Sequence, residues 1–171
     1  MKEIVNLTNI YKSFGAVQAL IDFNVSINEG EIVGLMGDNG AGKSTLLKIL
    51  AGNFLPTSGK INFNGEDVIF NSPNDARRAG VEVVYQDLAL CDHLTAAKNI
   101  YLSREAKKFG LLLDHKKMNE TSQKLLDELN SSARPGDVVT GMSGGQRQAI
   151  AIARTRLSEP KIVLMDEPTA A

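Results

Sequence analysis

Apolar and polar positions alternate near the start of the chain, first from Ile4 to Ile10 and again through Phe23, Val25 and Ile27, which are separated by Asn24 and Ser26. Period-two alternation predicts half-buried strands, here of an antiparallel layer. Asn28 to Glu31 reads as the turn out of that layer. Ile32, Val33, Leu35 and Met36 then form the apolar run of a buried strand, and Thr45 to Ala51 follow with helical spacing up to a stop at Gly52. Asn64-Gly65, between Ile61-Asn62-Phe63 and Val68-Ile69-Phe70, predicts a hairpin extending the same layer. Val81 to Tyr85 is a further strand, with Gln86 at its carboxyl end, where ligands of open α/β sheets gather. From Leu94 to Asn130 the period is helical, with Met118, Leu125, Leu126 and Leu129 in one stripe behind an opening Asp114. Ser131 to Gly136 has the composition of a linker. Ala149, Ile150, Ile152, Ala153 and Leu157 predict a last helix, and Ile162 to Met165 a strand covered on both faces, as in a parallel sheet. No repeat or low-complexity tract interrupts this α/β pattern.

Between the buried strand and its helix lies Gly37-Asp38-Asn39-Gly40-Ala41-Gly42-Lys43-Ser44, which meets every fixed position of the phosphate-loop pattern G-x-x-x-x-G-K-[ST]. A loop wrapped round a polyphosphate must bring backbone N–H groups close to the oxygens, where a side chain would block the approach. Hence Gly37, Gly40 and Gly42. The first turn of the following helix, beginning at Ser44 and Thr45, offers free N–H groups and the positive end of its dipole to the same anion. Lys43 adds a point charge for the outer phosphates, and the Ser44 hydroxyl is short enough to hold a magnesium ion bridging their oxygens. The plain alternative is a glycine-rich turn between strand and helix.

Composition narrows the partners. The chain has 171 residues, room for one domain with a core or for a domain carrying a smaller subdomain. Its 19 basic and 20 acidic residues give no net field for a nucleic-acid backbone or an anionic membrane, so binding to either would have to be local. The single Cys91 suits a reducing compartment and has no second cysteine with which to build a metal cluster. The N-terminus lacks the apolar block of a secretion signal, and no apolar run reaches the roughly 20 residues that span a bilayer. The expectation is a soluble, cytoplasmic chain that could still dock on a membrane partner. The pairs Lys107-Lys108 and Lys116-Lys117 read as solvated faces.

Two further constellations carry chemistry. The run Ile162 to Met165 ends in Asp166-Glu167, which puts two carboxylates at a strand tip. Beside a phosphate loop, the first carboxylate would help hold magnesium, and the second would orient and polarise an attacking water. Met142-Ser143-Gly144-Gly145-Gln146-Arg147-Gln148 opens the last helix with Ser143 as its cap. Its two glycines leave first-turn N–H groups open, which makes a second anion-binding helix terminus. One chain has no obvious need for two, which suggests that the second serves a nucleotide held by another copy. The alternative is a capped helix with a permissive start.

With these motifs in order, the chain resembles the nucleotide-binding subunits of ABC transporters over its whole length. The carriers are the phosphate loop Gly37 to Ser44, a glutamine loop at Gln86, the signature Ser143-Gly144-Gly145-Gln146, the strand Ile162 to Asp166 with Glu167, and the tail Pro168-Thr169-Ala170-Ala171. The resemblance implies a P-loop NTPase core with a mostly parallel sheet, an N-terminal antiparallel β layer and a helical insert. Residues 1–86 and 137–171 would form the core and 87–136 the insert. It implies ATP and Mg2+ as cofactors, with Phe14 stacking on adenine. Tyr11 is the second candidate ring, and either would alternatively belong to the core. ATP would be bound by residues 37 to 45, magnesium held by Ser44, Gln86 and Asp166, and catalysis carried by Glu167, Lys43 and Gln86. A second subunit would close head to tail, its Ser143 and Gly145 covering the γ-phosphate, while the insert docks on membrane-spanning permease subunits. The stretches Asn71 to Gly80 and Asn99 to Glu105 are similar to the monosaccharide importers of the family. The chain would then sit on the inner face of the cell membrane through its permease, with no direct contact to nucleic acid.

Two departures stand against the pattern. Met142 replaces the usual leucine, a volume-conserving swap. Members of the family also continue past the position of Ala171 with a loop to the second subunit, a further core strand and a switch histidine; His93 and His115 lie upstream, in the helical region. The resemblance therefore implies a domain incomplete at its C-terminus, with an exposed edge on the Ile162 strand, that binds nucleotide yet turns over poorly. The rival readings are a non-catalytic nucleotide-binding module and a soluble ABC ATPase acting on nucleic acid. The latter usually carries long coiled coils or basic surfaces, and neither is present here.

Overall fold

The computed structural model describes residues 2–85 and 88–166. They fall into two compact units, Met1–Glu82 with Pro160–Leu164, and Val83–Glu159 with Met165–Ala171.

The first unit is built on a four-stranded antiparallel sheet in the order β2-β1-β3-β4. Strands β1 (Glu3–Phe14) and β2 (Val17–Asn28) form a long hairpin, and β3 (Ser58–Phe63) and β4 (Glu66–Val68) a short one. Asn64 and Gly65 both take positive φ, 53° and 90°, as a two-residue turn matched to the strand twist requires. The fourth strand ends at Val68 rather than reaching Phe70 as expected. Phe70 is nevertheless buried and meets Phe63 edge-on, with ring centroids 6.0 Å apart.

Strict alternation would put Leu7 and Ile10 on opposite faces, yet both are buried. The register slips between them, where Asn9 and Asp22 take φ of 51° and 48°. Side chains take over the lost ladder bonds there. Asn9 N–H donates to Asn24 Oδ1 at 2.7 Å, and Asn9 Nδ2 to Asp22 Oδ1 at 2.6 Å. The bulge thus restores Ile10 to the core, where a buried aliphatic side chain contributes about 1.5–3 kcal/mol.

Helix α1 (Lys43–Leu50) buries Leu46, Ile49 and Leu50. Gly52 ends it in the left-handed region at φ 74°, donating to Ile49 O, while the N–H groups of Asn53 and Phe54 both reach Lys48 O. Helix α2 (Pro73–Ala79) is capped by Ser72, which accepts from Asp75 N–H, and Pro73 stands where a missing N–H costs nothing.

The expected buried strand at Ile32 to Met36 is not formed. Residues 31–38 pair with no strand among the described residues, and Ile32 and Met36 are 98 % and 93 % exposed. An apolar run encodes the wish to be covered; a strand also needs a neighbour's N–H and C=O groups, which no described element supplies.

The second unit gathers α3 (Ala96–Ile100), α4 (His115–Glu128) and α5 (Gly144–Arg156) round a core that includes Ile100, Met118, Leu126, Val139 and Ile150. The predicted stripe holds: Met118 and Leu126 are buried, with Leu125 and Leu129 packed against the same core. Asp114 caps α4 as expected, accepting Lys117 N–H at 3.0 Å. That bond, with Lys108 and Lys117 nearby, holds its carboxyl below the usual range, so its contribution to stability fades as pH falls through that lowered value. Helical period between Leu94 and Asn130 is broken by a small hairpin of β6 (Lys107–Lys108) and β7 (Leu112–Leu113), turned at Phe109 and Gly110, both at positive φ. Strands β5 (Val81–Val84) and β8 (Ile162–Met165) form a separate two-stranded sheet. Ile162 N–H donates to Gly80 O and Asp166 N–H to Val84 O, so the two strands ascend together, in parallel.

A Cβ on Gly52 would stand 2.4 Å from Ser72 O. Gly52→Ala is expected to cost about 2 kcal/mol or more in urea denaturation, whereas Gly30→Asn, at φ 75° with nothing within 4 Å, should stay within about 0.5 kcal/mol of wild type.

Candidate functional site

The phosphate loop leads into α1 without any side-chain cap. Gly42 occupies the cap position at φ 84°. Its backbone lies so close to β2 that a Cβ would come 2.3 Å from Ala19 O and 2.8 Å from Leu20 Cδ2. Glycine is therefore required twice over, by conformation and by contact.

Lys43 closes the loop on itself. Its ammonium donates to Gly37 O at 2.6 Å and Asp38 O at 2.8 Å, a strap across the turn that orients the side chain at the mouth. Ala41 N–H turns inward to Asp38 O, while the N–H groups of Gly40 and Gly42 meet no protein acceptor among the described residues. Asp38, Asn39, Gly40, Ala41 and Ser44 are exposed, and Thr45 half-buried. The arrangement is an exposed loop of backbone donors at a helix N-terminus, with one cation tied to its carbonyls, and its chemistry suits a polyphosphate.

The contact with Ala19 also fixes how the β1–β2 hairpin meets the loop. In the ladder Ser13 faces Gln18 and Phe14 faces Val17, so Phe14 lies only a few strand residues from the Gly42 contact. Phe14 is partly exposed, and its ring meets two neighbours. Phe54 meets it edge-on with centroids 5.3 Å apart and planes at 73°, and Lys12 Nζ sits 4.9 Å from its centroid. Lys12 is itself tied to Leu55 O at 2.8 Å. Tyr11, the other candidate ring, is also partly exposed, and its carbonyl accepts Thr57 N–H. Neither Phe54 nor Lys12 stands out in the sequence. The only signal for Phe54 is an aromatic residue two positions past the glycine that ends the loop's own helix.

The remaining candidates belong to the second unit. Ser143 and Gln146 form a complete capping box: Ser143 Oγ accepts Gln146 N–H at 3.3 Å, and Gln146 Oε1 accepts Ser143 N–H at 3.0 Å. Gln146 Nε2 also reaches Ser132 Oγ. Ser143, Gly144 and Gly145 are exposed at the head of α5. Arg147, one position on, pairs with Asp92 at 3.3 Å, and Thr140 Oγ1 donates to Asp92 O. Asp166 follows β8 at its carboxyl end. Gln86 and Glu167 lie outside the described residues. One residue missed by sequence reasoning organises the segment after Gln86: Asn99, fully buried, spans Cys91, Leu94 and Thr95 through its amide, and its own carbonyl accepts from Arg154.

Known proteins carry the same organisation. The sequence profile of the ABC transporter family matches residues 20–170. The chain belongs to that family. It is 51 % identical over 174 residues to a xylose/arabinose import ATP-binding protein of Sulfolobus acidocaldarius, covering all of this chain and 68 % of that protein. It is 42 % identical over 168 residues to a ribose import ATP-binding protein of Yersinia pestis, spanning 98 % of this chain and 33 % of that one. Among solved structures, the ADP conformation of an ATP-binding cassette of an ABC transporter superposes at a TM-score of 0.85 with 27 % identity, over all of this chain and 71 % of that one. A dimeric post-hydrolysis cassette bound to ADP and Pi matches at 0.79 with 29 % identity, over 97 % and 75 %. The fold is thus that of the ABC ATPase cassettes, with the N-terminal antiparallel layer expected from the alternating strands.

Gly42→Ala places a methyl group against Ala19 O. The expected outcome is a loss of about 1–3 kcal/mol in stability, read by thermal melting, together with loss of ATP binding measured by calorimetry.

Proposed function

We propose that this chain is the ATP-binding and ATP-hydrolysing part of an importer, with a sugar as the transported class. The observation that carries the reading is the loop at Gly37 to Ser44, strapped by Lys43, seated on β2 through Gly42 and opening a helix. The sugar class rests on the import proteins for xylose/arabinose, ribose and fructose among the relatives.

In this reading Gly37, Asp38, Asn39, Gly40, Ala41, Gly42, Ser44 and Thr45 embrace the phosphates, and Lys43 neutralises the outer ones. Phe14 stacks on the base. Glu167 takes the proton of a water that attacks the γ-phosphorus in line, as the bond to the β-phosphate oxygen breaks and ADP leaves. Ser44, Asp166 and Gln86 would hold magnesium. They are oxygen donors of the type that ion takes. When bound, magnesium supplies positive charge to the phosphate oxygens. Ser143, Gly144, Gly145 and Gln146 face the nucleotide of a second copy arranged head to tail; a dimeric cassette among the structural neighbours supports pairing of two copies. The helical insert at 87–136 meets membrane-spanning permease subunits, a reading supported by the import proteins among the relatives.

Lys43→Ala is expected to weaken ATP binding at least tenfold by calorimetry. Glu167→Gln should keep ATP affinity within about twofold while slowing phosphate release by about 10²–10⁴-fold. Undiminished hydrolysis in either variant overturns the assignment.

A further inference from the structure

We propose that the β6–β7 hairpin is a lipid-contacting element that seats its apolar tip in the interface of an anionic bilayer. Phe109 is 96 % exposed, Leu111 88 % and Leu112 68 %, and Leu113 adds a fourth exposed side chain in the same five residues. Isolated exposed leucines need no explanation, but a contiguous set at the end of a projecting turn does. The turn itself is unusual. Phe109 is held at φ 51°, a conformation that bulky L residues avoid, and Gly110 follows at φ 76°. The backbone adopts a strained shape whose result is an aromatic ring directed away from the protein.

Charge surrounds the tip on its protein side. In the ladder Lys107 faces Leu113 and Lys108 faces Leu112, so each cross-strand pair combines an apolar side chain with a cation. Lys116 and Lys117 follow at once in the first turn of α4. Lys108 pairs with Asp114 at 3.5 Å and Lys116 with Glu120 at 3.9 Å, and Lys117 lies near enough to Asp114 to help lower its carboxyl, while Lys107 carries no ion pair among the described residues. Glu105 turns back to accept Ser103 N–H. Apolar residues at the apex with lysines one layer behind is the distribution that an acyl boundary under anionic headgroups selects, because lysine stems lie along apolar surface while their ammonium groups reach the phosphates. A convex tip fits lipid, which conforms to it. A protein partner would have to provide a matching pocket.

The sequence contains no tryptophan, so Phe109→Trp gives a single reporter. Equimolar phosphatidylglycerol–phosphatidylcholine vesicles should shift its emission to the blue and allow quenching by brominated lipid, while phosphatidylcholine vesicles should do neither. In co-sedimentation with the mixed vesicles, Phe109→Ser combined with Leu111→Ser should lower partitioning about tenfold or more, with the melting temperature unchanged because both side chains are exposed. Lys107→Gln and Lys117→Gln should each lower it about fivefold and reduce its salt dependence. Three results overturn the proposal: no binding to either vesicle, equal binding to both, or binding only to membranes containing a permease. The last would assign the tip to a protein partner instead.

Discussion

The hydrogen atom that serves as the side chain of Gly42 is the constraint on which the first unit's site depends. Because nothing projects there, the carbonyl of Ala19 closes against the loop, and the edge of the antiparallel sheet packs directly on it. The same residue supplies the left-handed conformation that lets an uncapped helix start with its N–H groups outward. The strap from Lys43 to Gly37 O and Asp38 O then fixes the turn without using those donors. Preorganisation of this kind matters because donors that need no reorganisation act on developing charge at full strength.

The phosphate-loop motif is legible because it is local: its glycines, lysine and serine lie within eight consecutive residues, and so does the reason for each. The ends of α1 and α4 were legible for the same reason, since Gly52 and Asp114 act on backbone groups one to four positions away, whereas α2 and its Ser72 cap came only with the structure. What the sequence hid is long-range or compensated. Leu7 and Ile10 violate alternation because of a bulge whose repair comes from Asn24 and Asp22 on the next strand. Ile32 to Met36 satisfy every local rule for a buried strand, and what they lack is a neighbour, which no local rule reports. The turn at Phe109-Gly110 was masked by helical spacing on both sides of it.

Phe54 illustrates a third kind of silence. An aromatic residue in a loop has no periodicity to betray it, and its meaning comes from the helix before it. The carbonyl of Lys48 takes the N–H groups of both Asn53 and Phe54, so the position of Phe54 is set by the end of α1. Since α1 begins at the phosphate loop and Phe54 touches Phe14, one rigid helix of eight residues links the loop to the ring of the hairpin tip. Two segments far apart in sequence thereby share a single ruler. That ruler is about 12 Å long at 1.5 Å per residue.

The head of α5 meets a different demand. Its capping box satisfies part of the helix start internally and leaves part of it unpaired. Ser143 Oγ accepts from Gln146 N–H with one lone pair and keeps its own proton to donate, because a hydroxyl does both at once. Gln146 Oε1 occupies the N–H of Ser143, leaving the first-turn N–H groups of Gly144 and Gly145, which an α-helix cannot pair within itself. With no Cβ at either glycine, an approaching oxygen meets backbone directly. The box holds the helix start rigid through Gln146 and Ser132, so the donors that remain are fixed in direction before any anion arrives. A helix start that is closed to its own chain on one side in this way keeps two backbone donors, at Gly144 and Gly145, on the other.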